Sequence, residues 1–125
     1  MKAYHFLAEN ERVDTQCKAL REGNIDVFFE NVLKSGASSF RYLQNVYTTK
    51  NVREQGLSLA LCLTENFLSG QNAAWRVHGG GFAGTIQAFV PHNLTGAYKE
   101  MIEKVFGAGK CYILNVRAGG AIKVL

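Results

Sequence analysis

Three consecutive glycines, Gly79-Gly80-Gly81, stand between two short runs of strand character, Ala74–Val77 and Thr85–Val90. This restricts the fold more tightly than anything else in the chain. Glycine loses more backbone entropy on folding than any other residue, so three in succession between strand candidates need a physical reason. A short connection between such runs turns the chain back on itself and predicts an antiparallel hairpin. Pro91 closes the second strand, because proline has no N–H for a ladder. Successive N–H groups in such a loop also form a concavity suited to an anion. A plain β-turn is the other reading, and composition alone does not separate the two.

The hairpin is preceded by helical periodicity. Asn10 to Leu20 places Val13, Cys17 and Leu20 at helical spacing, and Gly23 is a natural stop. Tyr4 to Leu7 reads either as the start of that helix or as an edge strand. Asn24 can cap a second helix with Val27, Phe28, Val32 and Leu33 on its inner side, ending at Ser35-Gly36. Residues 38–50 read as a loop with a short helical turn. A third helix is expected from Asn51, where Asn51 and Glu54 have capping-box spacing, to Gly70. Its apolar face carries Leu57, Ala60, Leu61, Thr64, Phe67 and Leu68.

After the hairpin, Leu94, Tyr98, Met101, Ile102, Val105 and Phe106 form another helical stripe that stops at Gly107. Cys111 to Val116 reads as a further strand, Gly119-Gly120 as a turn, and Ala121 to Leu125 as a strand that pairs back. The order predicts an α+β fold: a two-layer sandwich with a small, mainly antiparallel sheet and helices on one face.

With 125 residues the chain has room for one domain, 1–125, and its 47% hydrophobic content can supply that domain's core. The net charge of +4 is spread singly from Lys2 to Lys123, which suits a protein that handles anions but does not point to nucleic acid. No apolar run is long enough to span a membrane, and the first residues lack a signal-peptide core, so a soluble, cytoplasmic protein is expected. Cys17, Cys62 and Cys111 are far apart, which predicts reduced thiols packed mostly as small hydrophobes. His5, His78 and His92 have no metal-ligand spacing, so no metal site is expected.

Familiar glycine motifs fail on the residues around the loop. A P-loop needs Gly-Lys-Ser/Thr opening a helix, and a dinucleotide fingerprint also needs a helix after its glycines. Here Gly84 is followed by a strand candidate. Gly81-Phe82-Ala83 matches part of an RNA-binding sheet signature but lacks its flanking basic and aromatic residues.

The segment Ala74-Trp75-Arg76-Val77-His78-Gly79-Gly80-Gly81-Phe82-Ala83-Gly84-Thr85 resembles the third motif of galactokinases, approximately Gly-Ala-Arg-Met-Thr-Gly-Gly-Gly-Phe-Gly-Gly. These enzymes belong to the GHMP kinases, the superfamily of galactokinase, homoserine kinase, mevalonate kinase and phosphomevalonate kinase. Upstream, His5-Phe6-Leu7-Ala8-Glu9-Asn10-Glu11-Arg12-Val13 is similar to the family's His-Val-x-x-Glu-x-x-Arg-Val run. Ala19-Leu20-Arg21-Glu22-Gly23-Asn24 resembles its Ala-Leu-x-x-Gly-Asp, and Ser39-Phe40-Arg41 stands where it has Ser-Leu-Arg. The chain departs from the pattern at His78 (for Thr), at Ala83 (for Gly), at Tyr42-Leu43-Gln44-Asn45 (for an acidic stretch) and near Thr49-Lys50-Asn51-Val52 (for Pro-Glu-Leu-Asp).

The resemblance covers the C-terminal domain alone. It implies a ferredoxin-like fold and a missing N-terminal domain that carries the phosphate loop and the catalytic Asp. It further implies transfer of the ATP γ-phosphate, with Mg²⁺, to the anomeric hydroxyl of galactose. In that reading the chain holds no catalytic residue and no tightly bound cofactor. Its glycine loop, Gly79, Gly80, Gly81, Phe82 and Gly84, completes the cleft, with Phe82 as a packing anchor. Arg76 and His78 support the loop: Arg76 faces the cleft or lies solvated at a strand edge, and His78 bonds the loop backbone or shuttles a proton. Gly80→Val is expected to misplace the loop. The alternative function is a non-catalytic, galactokinase-like sensor or interaction module.

Overall fold

The structure is a computed structural model that describes residues 1–82 and 84–116. It is a small α+β domain with four helices and a two-stranded antiparallel sheet. Helix α1 spans Lys2–Arg21, so Tyr4 to Leu7 is helical. Gly23, at φ +68°, ends the turn that follows. Asn24 then caps α2 (Ile25–Ser38), its side chain accepting a hydrogen bond from the Val27 N–H at 3.2 Å.

Helix α2 passes through Gly36, where the sequence predicts a stop. The glycine serves a close crossing instead: a Cβ at this position would lie 3.0 Å from Arg76 Cβ and 3.1 Å from the Trp75 carbonyl oxygen. The helix continues into a π-helical turn, Ser39–Leu43, closed by Gln44 in the left-handed conformation. Helix α3 (Gly56–Leu68) begins at Gly56 and not at Asn51, because the Asn51 side chain accepts from the nearby Arg53 N–H in a local turn. Its inner face is as predicted, with Leu57, Thr64 and Leu68 buried.

Strands β1 (Ala74–His78) and β2 (Thr85–Phe89) pair antiparallel, with Trp75 opposite Ala88 and Val77 opposite Ile86. A 3₁₀ turn at His92–Leu94 leads into α4 (Thr95–Phe106), which buries Tyr98 and Ile102 and stops at Gly107.

The expectation of helices on one face is corrected by the pleat. Side chains alternate across a strand, so Trp75 and Val77 share one face and Arg76 the other. On the first face, Leu68, Ala73, Tyr98 and Ile102 form a cluster with Trp75 and Ala88 packed against it, and Val77 packs with Val46, Leu57, Leu61 and Ile86. On the second, the Phe89 ring packs on Phe28 and Phe29 of α2. Helices α3 and α4 therefore lie on one side of the hairpin and α2 on the other, with α1 outside α2.

A second correction concerns α1. Val13, Cys17 and Leu20 point outward and are exposed. The inward side carries Glu9, Arg12 and Ala19, because the surface of α2 that it meets is itself small and polar: Asn31, Ser35 and Ser38 are buried there. A third concerns Cys111–Val116, which forms no strand. Among the described residues no strand edge bonds to it, and Tyr112, Ile113, Leu114 and Val116 are exposed. The turn expected at Gly119-Gly120 and the strand expected at Ala121–Leu125 lie outside the described residues. Of the thiols, Cys17 and Cys62 are exposed and Cys111 alone packs against the α4 cluster.

Candidate functional site

The glycine loop leaves β1 at His78 and is held by one residue that the sequence did not single out. Asn45 is buried. Its backbone oxygen accepts from the Phe82 N–H, and its side-chain Nδ2 donates to the Gly80 carbonyl at 3.2 Å. Ser39 Oγ in turn donates to Asn45 Oδ1 at 3.0 Å, which fixes the amide. The π-helical turn makes this possible. Gln44, at φ 53°, swings the chain so that Asn45 meets the loop while Val46 enters the core beside Val77. A single sequence carries little signal for this contact, since Asn45 reads there as one polar residue in a loop.

The glycines are not equivalent. Gly81 has φ +79°, and a Cβ there would stand 2.1 Å from the Asn45 carbonyl oxygen, inside contact distance. Gly79 has φ +64° but open space around it. Gly80 needs no left-handed backbone and has nothing within 4 Å of an added Cβ. The position that must lack a side chain is therefore Gly81, not Gly80, and Gly80→Val meets neither the left-handed backbone nor the close packing expected for it. At Gly84, the last residue of the loop, an added Cβ would make only ordinary contact, 3.5 Å from the Gly81 oxygen.

Phe82 is 55% exposed and sits at φ +67°, so Asn45 and not Phe82 anchors the loop. Its ring lines an open depression of about 560 Å³ with Lys2, Gln44, Tyr47, Thr48 and Lys50. Among the described residues, the charged side chains on this wall are Lys2 and Lys50. The combination of two ammonium groups, hydroxyls and an aromatic edge beside a glycine loop suits an anionic ligand.

Arg76 lies neither in the depression nor free at a strand edge. Its guanidinium bonds Glu9 of α1 at 3.3 Å and Ser35 of α2 at 2.5 Å. Arg12 bonds Glu9 at 2.8 Å and Ser38 at 3.0 Å, and His5 shares Ser38 at 2.9 Å. Burial pushes the Glu9 carboxyl up. Hydrogen bonds from Ser35 and Arg12 and the charges of Arg12 and Arg76 outweigh that and leave it below its ordinary value. The network ties the strand that feeds the loop to two helices. His78 is exposed, and its ring nitrogen Nδ1 stands 3.5 Å from Thr85 Oγ1 across the strand pair, so its contact is with a side chain and not with the loop backbone.

Among the described residues no group of three His, Cys, Asp or Glu side chains could hold a metal ion, and no helix is long and apolar enough to cross a membrane. Comparison with protein-family profiles, with curated proteins and with solved structures finds no match to this chain.

Proposed function

We propose that the chain is the cleft-completing, C-terminal half of a galactokinase-like phosphotransferase. The observation that carries this reading is the Asn45–Gly81 contact. A loop stitched at its base and free of side chains at Gly79 and Gly80 presents bare main chain at a fixed place, as a surface closing over phosphates requires. Lys2 and Lys50 on the adjoining wall add positive charge of the right sign.

In this reading an N-terminal kinase domain supplies the phosphate loop and the catalytic Asp, and ATP and Mg²⁺ bind chiefly there. The acceptor is galactose or a related sugar, and the described residues contribute positioning and no proton transfer. The ferredoxin-like fold belongs to the same proposal, and it needs strands beyond β1 and β2.

Two measurements test it. The 125-residue chain alone is expected to show no ATP-dependent phosphorylation of galactose, and robust turnover would refute the assignment. The coding sequence upstream of Met1 is expected to continue in frame into a kinase domain. An in-frame stop there counts against the proposal, and an upstream domain without a phosphate loop and catalytic Asp assigns the sensor reading instead.

A further inference from the structure

We infer that the depression beside the glycine loop binds a sugar monophosphate, with the phosphate between Lys2 and Lys50 and the sugar ring on Phe82. The sugar is the acceptor class of the phosphotransferase reading, on which that choice rests; the charge and the ring are this chain's own. Four parts of the chain converge here: the start of α1, the π-helical turn, residues 47–50 and the tip of the glycine loop. At about 560 Å³ the space has the size of a small-molecule site and is larger than a lone phosphate needs.

The polar groups of the wall are mostly donors. Among the described residues neither Lys2 nor Lys50 takes part in an ion pair, and no carboxylate lines the depression. Thr48 Oγ1 accepts from the Lys50 N–H at 3.3 Å, which leaves the hydroxyl proton for a ligand. Tyr47 donates its phenolic proton to Gln44 Oε1 at 3.4 Å, which leaves the Gln44 amide N–H groups for a ligand. Such a set takes an anion rich in acceptor oxygens. A phosphomonoester carries about −1.5 to −2 at neutral pH, close to one charge for each ammonium, whereas a carboxylate brings half as much.

Phe82 points to what carries the phosphate. A bulky residue at φ +67° is a backbone outlier that must be held, and the Phe82 N–H donating to the Asn45 carbonyl holds it. The result is a half-exposed ring on the wall of the depression and in neither apolar cluster. One aromatic face suits the C–H face of a sugar, whose hydroxyl rim then meets Thr48 and Gln44. In the phosphotransferase reading the acceptor is neutral and only the product carries a phosphate, so this site separates product from acceptor.

Calorimetric titration of the 125-residue chain is the test, with galactose 1-phosphate as the probe beside galactose, inorganic phosphate and adenosine monophosphate. Galactose 1-phosphate is expected to saturate one site, more tightly than the other three, and to weaken as salt is raised. Lys2→Gln and Lys50→Gln, both at exposed positions, should each weaken it about tenfold. Phe82→Ala should weaken galactose 1-phosphate and leave inorganic phosphate unchanged. No saturable binding, an affinity indifferent to either lysine substitution, or tighter binding of the nucleotide would each overturn the proposal. Turnover plays no part in these measurements. A silent titration with a kinase domain encoded upstream therefore strikes the site alone, and binding as expected without such a domain strikes the phosphotransferase reading alone.

Discussion

Trp75 and Val77 look toward α3 and α4, while Arg76, between them, looks toward α1 and α2. The first side is closed by apolar packing around Leu68, Val77, Tyr98 and Ile102. The second is closed near the loop by an ionic and hydrogen-bonded network of Glu9, Arg12, Ser35, Ser38 and Arg76. Apolar burial is non-directional and tolerates small shifts, whereas charged hydrogen bonds depend on geometry and on protonation. One strand therefore carries a cohesive face and an orienting face, and the glycine loop grows from its end.

The largest expected effect lies on the cohesive face. Leu68 is fully buried, and Leu68→Ala should cost about 2–5 kcal/mol in denaturant unfolding. On the orienting face, Arg76→Met keeps the stem and removes three bonds, to Glu9, Ser35 and the Val77 carbonyl, and about 1–3 kcal/mol is expected. If the two substitutions cost the same, or the order reverses, the contrast between the faces fails.

The loop sharpens the comparison, because Asn45 hydrogen-bonds Ser39 at the end of α2 while Val46 packs in the opposite cluster. Gly81→Ala should destabilise by about 1–2 kcal/mol from its left-handed backbone alone, with a further cost as the Asn45 carbonyl is displaced. Gly80→Ala should fall near zero. Equal effects at the two positions would show that the loop does not press on Asn45.

The smallest effects are those of pH, and they fall at opposite ends of the scale. Glu9 has a folded pKa below its ordinary 4.5, so its contribution is fully present above that value and is lost as pH falls through the folded one. Burial raises the Tyr98 hydroxyl above its ordinary 10.0, although the Thr64 hydrogen bond at 2.8 Å opposes this. Its contribution is present below 10.0 and is lost as pH rises beyond it. In unfolding measured against pH, Glu9→Gln should flatten the acid limb alone and Tyr98→Phe the alkaline limb alone. A variant that alters the other limb would show that the faces are coupled.

Much of this architecture is legible in the amino-acid sequence. The hairpin followed from the glycines between two strand-like runs, the Asn24 cap from its position before a helical stripe, and the α3 and α4 faces from their spacing. Two misreadings share one cause. Val13, Cys17 and Leu20 look like a core stripe, and Gly36 looks like a helix stop, only while each helix is considered alone. Once α2 presents Ser35 and Ser38 to α1, the polar side of α1 is the one that fits, and Gly36 becomes the place where α2 crosses β1.

Periodicity and glycine placement are local properties, and they determined which segments are helical and where the chain doubles back. Facing and contact are not local. That Gly81 rather than Gly80 must lack a side chain, that Asn45 holds the loop, and that Arg76 turns to Glu9 depend on residues between 35 and 67 positions distant, and for Gly81 on the carbonyl of residue 45. Only the packed chain brings such groups within hydrogen-bond reach, because the backbone pattern of a segment sets the direction of a side chain and says nothing of what will lie there.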